Sequence, residues 1–267
     1  LAKAFEKILS DNELDKIFIA ELLTLPNEIY IGEQMDPIDD NEIYAARQYL
    51  REFLAKQLKP IWLKTYQENT LVGEYQHDLD SIAKRTLKNT SLAYLSALND
   101  SEMIELCWVQ FKTANNMTDS IAALSLLAHI DCKQRDEALE IFYNRWKNDP
   151  LVMDKWFAVQ ARSELPSTLL TVKKLMKDPA FDDKNPNKLR ALIGSFCQGN
   201  RVQFHAKSGE GYEFLTEQVC RLNTLNPQVA SRLLEPMVQW KRYDVERQGK
   251  MQGCLQKIAK LPALSKD

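Results

Sequence analysis

Apolar side chains recur at three- and four-residue intervals along almost the whole chain, and no run alternates for more than a few residues, so the periodicity predicts helices nearly throughout. In "HDLDSIAKRTLKNTSLAYLSAL" the positions Leu79, Ile82, Ala83, Leu87, Ala93, Tyr94 and Ala97 form a stripe wide enough to face other helices on more than one side. Three segments open alike, with Asp149-Pro150, Asn185-Pro186 and Asn226-Pro227. An Asp or Asn side-chain oxygen caps free backbone N–H groups, and proline suits the first helical position because its missing N–H costs nothing there. These starts lie 36 and 41 residues apart, with further amphipathic segments at 165–177, 210–224 and 237–260. Stacked helical hairpins with the period of HEAT or tetratricopeptide-like solenoids are expected.

Neither repeat fits closely: the Trp-Leu-Gly-Tyr pattern of tetratricopeptides is absent and residues 1–70 show no clear period. No linker rich in Gly, Ser or Pro interrupts the chain. The expected fold is all-α and a single domain over 1–267, with irregular helices over 1–70 and stacked hairpins over 78–260. Its class is an irregular right-handed superhelical array of antiparallel helical hairpins, a HEAT/armadillo-like solenoid with a concave face.

Composition changes this picture little. The 35 basic and 37 acidic side chains leave a net charge of −2, which gives no global electrostatic case for nucleic acid or an anionic membrane. No stretch approaches the roughly 18 apolar residues of a membrane span. The five cysteines, at 107, 132, 197, 220 and 254, are odd in number and widely spaced, which favours reduced thiols in a cytoplasmic or otherwise reducing compartment and buried apolar roles. The opening "LAKAFEKILSDNELDK" lacks a methionine and starts inside an amphipathic pattern, so a piece of a longer chain is expected.

Candidate chemistry is sparse. His77, His129 and His205 have no second histidine four residues away, so no His-Glu-x-x-His zinc motif exists and no metal site is expected in this chain. A cysteine nucleophile paired with a distant histidine would have to be assembled by the fold, and Cys107, Cys132 and Cys220 sit among apolar neighbours on helical patterns, as core cysteines do. "KSGEGY" (Lys207 to Tyr212) has no phosphate-loop context and is expected as a turn. "WKRYDVERQGK", from Trp240, interleaves aromatic and basic residues but is diluted by Asp244 and Glu246, so a solvated helix face is expected. That leaves the arginines. Arg190 and Arg232 project from about the second turn of equivalent helices, with Gln228 one turn before Arg232 on the same face. Pro236 crowds the carbonyl four residues back, that of Arg232, so the helix stops or kinks there. Internal ion pairs or solvent exposure are one reading of these arginines; a surface that holds a carboxylate-bearing ligand is the other.

Several strings, "IAKRTLKN" (82–89), "ANNMTDSIAAL" (114–124), "LVMDKWF" (151–157), "NPNKLRALIGSF" (185–196), "NPQVASRLLEP" (226–236) and "KRYDVERQGKM" (241–251), resemble the C-terminal helical domain of the bacterial aminopeptidase N family, and the likeness spreads over about 170 residues. The resemblance implies a zinc-dependent alanyl aminopeptidase of four domains, of which this chain looks like the last. Zinc ligands, general base and amine-recognition residues would lie in the catalytic domain, so the chain alone is expected to be inactive and to carry no cofactor. It further implies that the helical domain closes the active-site chamber against the catalytic domain of the same chain, its partner. Arg190, Gln228 and Arg232 would then face the chamber and serve substrate access or peptide binding. A free-standing helical-repeat adaptor that binds a protein or peptide on its concave face is the alternative.

Overall fold

The structure, a computed structural model, describes residues 1–266. In chain order the α-helices are α1 (Ala2–Leu9), α2 (Lys16–Leu22), α3 (Glu28–Glu33), α4 (Asp40–Gln57), α5 (Lys59–Glu68), α6 (Leu79–Ser96), α7 (Ser101–Thr113), α8 (Met117–Leu127) and α9 (Lys133–Trp146). They continue as α10 (Pro150–Ala161), α11 (Thr168–Leu175), α12 (Pro186–Leu189), α13 (Ser195–Gly199), α14 (Arg201–Phe204), α15 (Glu210–Leu225), α16 (Pro227–Leu233), α17 (Glu235–Val238) and α18 (Val245–Ala259). A π-helical segment, Arg190–Gly194, joins α12 to α13, and a 3-10 turn, Trp240–Arg242, precedes α18. No strand occurs among the described residues.

Short polar side chains start these helices. Asp149 accepts from the N–H groups of Leu151 and Val152, Asn185 from that of Asn187, and Asn226 from that of Val229, with proline first in each helix. Asp78, Asp100, Asn116 and Asp244 cap α6, α7, α8 and α18 in the same way. Each such cap is worth about 1 kcal/mol against alanine. The apolar stripe read on α6 is only partly the buried one. Leu87 and Tyr94 are in the core, but Leu79, in the first turn next to the cap Asp78, is 80% exposed.

The chain divides into two compact units, with divisions between α2 and α3 and inside α4 and α9. The first comprises residues 1–26 and 45–141. Its core is aromatic at one end: Trp62 stacks on Tyr94 with ring centroids 4.4 Å apart, and Phe5 meets both edge-on. Trp62 Nε1 donates to the Leu54 carbonyl at 3.2 Å and Tyr94 Oη to the Leu23 carbonyl at 2.5 Å, so both rings bury without leaving a donor unpaired. Around α6, α7 and α8 the motif strings meet as a buried polar network. Lys88 Nζ lies 2.6 Å from Asp119 Oδ2, Asn89 Nδ2 donates to Asp119 Oδ1 (2.9 Å), and Asn116 both caps α8 and donates to the same carboxylate. Gln110 Nε2 donates to Asn89 Oδ1 at 2.8 Å. "IAKRTLKN" and "NNMTD" are therefore two halves of one internal lock.

The second unit comprises residues 27–44 and 142–267. Its core runs through Phe142, Phe157, Leu192, Phe196, Phe204, Tyr212, Phe214, Leu222, Leu233 and Met251. Lys188, buried although charged, donates to the Pro150 carbonyl and, at 2.6 Å, to Asp154, which ties α12 to the start of α10. Asn200 Nδ2 donates to the carbonyls of Ala161 (3.0 Å) and Ser163 (2.6 Å), which ties α14 to the end of α10. Arg242 holds residues 27–44 in place: its Nη2 donates to the carbonyls of Gly32, Glu33 and Met35, and its own carbonyl accepts from Ile38 N at 2.7 Å.

Candidate functional site

Gln228 and Arg232 lie on α16, where Val229, Ala230 and Leu233 supply the buried face and the two polar residues are exposed. Neither makes a side-chain hydrogen bond or ion pair among the described residues. α16 ends at Leu233 and α17 restarts with Pro236 near its beginning, as the proline requires. The consequence is local and chemical. The Arg232 carbonyl, four residues before Pro236, receives no helical N–H from it; Gln198 Nε2 on α13 donates there instead, at 3.2 Å.

Arg190, in the second turn counted from Pro186, is the first residue of the π-helical segment. It is exposed, and its Nη1 donates to Asn187 Oδ1 at 3.2 Å. The same segment packs near α16: a Cβ placed on Gly194 would touch Arg190 Cβ and Leu233 Cδ2, both at 3.8 Å. Single π turns inside helices occur disproportionately at functional sites. Nothing in the spacing around Arg190 signals this one.

Beside α17 lies a cavity of about 260 Å³ whose lining includes Ile29, Cys197, Gln198, Arg201, Glu235 and Tyr243. Its inner wall is a buried ionisable cluster. Arg201 Nε donates to Asp40 Oδ1 at 2.6 Å and its Nη2 to Tyr243 Oη at 2.9 Å. His205, 1% exposed, stacks on Tyr243 and is bracketed by two phenols: Nδ1 is 3.0 Å from Tyr212 Oη and Nε2 is 3.2 Å from Tyr243 Oη. Arg247, also 1% exposed, donates through Nε to the His205 carbonyl (2.8 Å) and through Nη1 to Asp244 (2.6 Å).

Burial, reinforced by the cations of Arg201 and Arg247, holds the His205 imidazole neutral well below its ordinary titration range. Burial also raises Asp40, against the opposing pull of Arg201, and pushes the Tyr243 phenol up to about 12. Cys197 and His205 both line this cavity, where a hidden Cys-His pair would have to be sought. They are not a nucleophile and its base, because burial raises the Cys197 thiol and both imidazole nitrogens already face tyrosine hydroxyls.

This cluster corrects two expectations. "WKRYDVERQGK" is not simply a solvated face: Tyr243 and Arg247 are core residues and Arg242 is bonded to three carbonyls, whereas Trp240 is half-buried and Lys241 and Glu246 are exposed. Asp244 caps α18 by accepting from the N–H groups of Glu246 and Arg247, while the burial of Arg247 depends on the His205 carbonyl, 42 residues away. The glycine pair in "KSGEGY" is likewise not all turn. Gly209, at φ +79°, ends the turn, while Gly211 lies inside α15 against the Phe204 backbone. Among the cysteines, 107, 197 and 254 are buried, while Cys220 is half-buried and Cys132 lies half-buried in the bend before α9 rather than on a helix.

Among the described residues no group of three or more His, Cys, Asp or Glu side chains is placed to hold a metal ion, and no helix is long and apolar enough to cross a membrane.

A helical-repeat domain is thus the class these features define. The chain belongs to the family described as the DUF3458_C domain of ARM repeats, which matches residues 1–267. It is 41% identical to aminopeptidase N of Escherichia coli (strain K12) over 268 aligned residues, covering 100% of this chain and 31% of that protein. Aminopeptidase N of Haemophilus influenzae is 40% identical, with 99% of this chain and 30% of that protein covered. The crystal structure of Legionella pneumophila aminopeptidase A in complex with aspartic acid superposes with a TM-score of 0.89 at 34% identity, over 98% of this chain and 32% of that one. The chain therefore spans about a third of the length of the relatives it matches.

Proposed function

We propose that this chain is the non-catalytic, C-terminal helical domain of a cytoplasmic zinc aminopeptidase that removes N-terminal residues from peptides. It acts as a single domain over residues 1–267, closes the active-site chamber against the catalytic part of the same chain, and shapes substrate access. The observation that carries this reading is the identity of 36–41% with aminopeptidase N sequences along 99–100% of the chain. Within this reading the zinc belongs to the catalytic part of the longer protein.

Within that reading Arg190, Gln228 and Arg232 present donors to the C-terminal side of a bound peptide. All three are exposed, and a guanidinium fork matches a carboxylate. The test is kinetic, in the full-length protein. R190A and R232A are expected to lower kcat/KM about 10- to 150-fold for short peptides with a free C-terminal carboxylate and far less for the same peptides as C-terminal amides, because a lost charge-assisted hydrogen bond is worth about 1.5–3 kcal/mol. Unchanged kcat/KM for both series would defeat the assignment of these residues. Alanine amide hydrolysis by the isolated chain would defeat the reading of the chain as non-catalytic.

A further inference from the structure

We infer that the cavity beside α17 is a subsite for a cationic peptide side chain, lysine-like in having an apolar stem and a charged tip, with Glu235 as its counter-ion. The inference rests on the peptide-binding reading above and adds a side-chain specificity to it.

The first observation is the distribution of charge. Four charged groups bear on this cavity: Arg201 and Glu235 line it, Asp40 stands behind Arg201, and Arg247, paired with Asp244 at 2.6 Å, stands behind His205. Arg201 is spoken for. Its Nε lies 2.6 Å from Asp40, the two side chains are only 17% and 1% exposed, and Nη2 is committed to Tyr243. Glu235, in contrast, is exposed and makes neither an ion pair nor a side-chain hydrogen bond among the described residues. The charge left open at the cavity is therefore negative. An anionic guest would face Glu235 with no free cation to offset it; a neutral side chain would take water from the carboxylate and return nothing. A cation does neither.

The second observation is shape and lining. About 260 Å³ lies below the roughly 300–1,000 Å³ of clefts that take whole small molecules, so the cavity suits a side chain. Ile29, Pro236 and Cys197 give it apolar wall for a methylene stem, and Gln198 and Gln239 add amide oxygens at which an ammonium group can donate. His205 and Tyr243 close the inner end as neutral groups, since burial keeps both uncharged near neutral pH.

The third is position. Gln198 lines the cavity and also donates to the Arg232 carbonyl, and Glu235 opens the helix immediately after the one that carries Arg232. A peptide whose carboxylate meets Arg232 has its adjoining side chain next to this opening.

The test is an NMR titration of the ¹⁵N-labelled chain with Ala-Ala-Lys and with Ala-Ala-norleucine, which share length and stem and differ in the terminal ammonium group. Wild type, E235Q and R232A are compared, each with its helix content verified by circular dichroism. The expected result is that Ala-Ala-Lys shifts the side-chain amide signals of Gln198 and Gln239 and binds more tightly than Ala-Ala-norleucine. E235Q should weaken the lysine peptide about fivefold, the upper end for a solvent-accessible ion pair, and leave the norleucine peptide unchanged. R232A should weaken both. Equal binding of the two peptides to wild type, an equal effect of E235Q on both, or no shift at the two glutamines overturns the subsite. A selective effect of E235Q with no effect of R232A would keep the subsite and overturn the role given to Arg232.

Discussion

Replacing Asp119 by alanine should be among the most damaging single changes in the first compact unit, and the structure explains both its size and its asymmetry. Lys88 and Asp119 are 6% and 9% exposed, and Lys88 Nζ has that carboxylate as its partner at 2.6 Å. In D119A the ammonium group is left buried and unpaired, and Asn89 and Asn116 lose their acceptor as well. Breaking a buried pair in this way costs about 3–5 kcal/mol, a large share of the ~5–15 kcal/mol that holds a domain together. K88M should cost less, about 1–3 kcal/mol, because Asp119 keeps both asparagine amides. The double variant K88M/D119L should recover most of the loss, since neither charge then remains to be solvated. Urea denaturation followed by circular dichroism, with the unfolding slope fitted for every variant, measures all three. A cost below about 1 kcal/mol for D119A, or a double variant as weak as D119A, would refute the view that these motif residues form an internal lock.

Two further outcomes follow from the second unit. The buried, neutral His205 has a titration range depressed below that of an unfolded histidine, so the unfolded chain takes up its proton first and stability falls as pH drops below about 6.5, by up to about 2 kcal/mol at pH 5. Asp40 works in the opposite sense, because burial disfavours its ionised form, so the difference in unfolding free energy between wild type and H205Q from pH 7.5 to 5 isolates the histidine; a parallel pair of curves would contradict this account. Glycine to alanine should have opposite signs at two positions in helices: G211A places a Cβ 2.3 Å from the Phe204 carbonyl oxygen and should cost about 1–3 kcal/mol, whereas G253A has open space and should gain about 0.4–1 kcal/mol, both read from thermal unfolding.

The sequence by itself determined what depends on neighbours within a turn or two. The three- and four-residue period sets the helices, and the caps at Asp149, Asn185 and Asn226 need only an oxygen within reach of N–H groups two or three residues on. The stop before Pro236 is a clash with the chain's own preceding turn. Whether Gln228 and Arg232 would be exposed or internally paired, the sequence left open; on α16 both are exposed while Val229, Ala230 and Leu233 are buried. What only the tertiary structure decided is which polar groups leave water. Lys88 is buried because Asp119 waits 31 positions away, Lys188 because Pro150 and Asp154 do, and Arg247 because the His205 carbonyl reaches it. A lysine or arginine on a helical pattern looks the same whether its partner is a distant carboxylate or solvent. Desolvating such a charge is costly unless a partner arrives in good geometry, and that arrival belongs to the packing of helices far apart in the chain. For the same reason the cavity beside α17, assembled from residues between Ile29 and Tyr243, leaves no signature in any single stretch of the sequence.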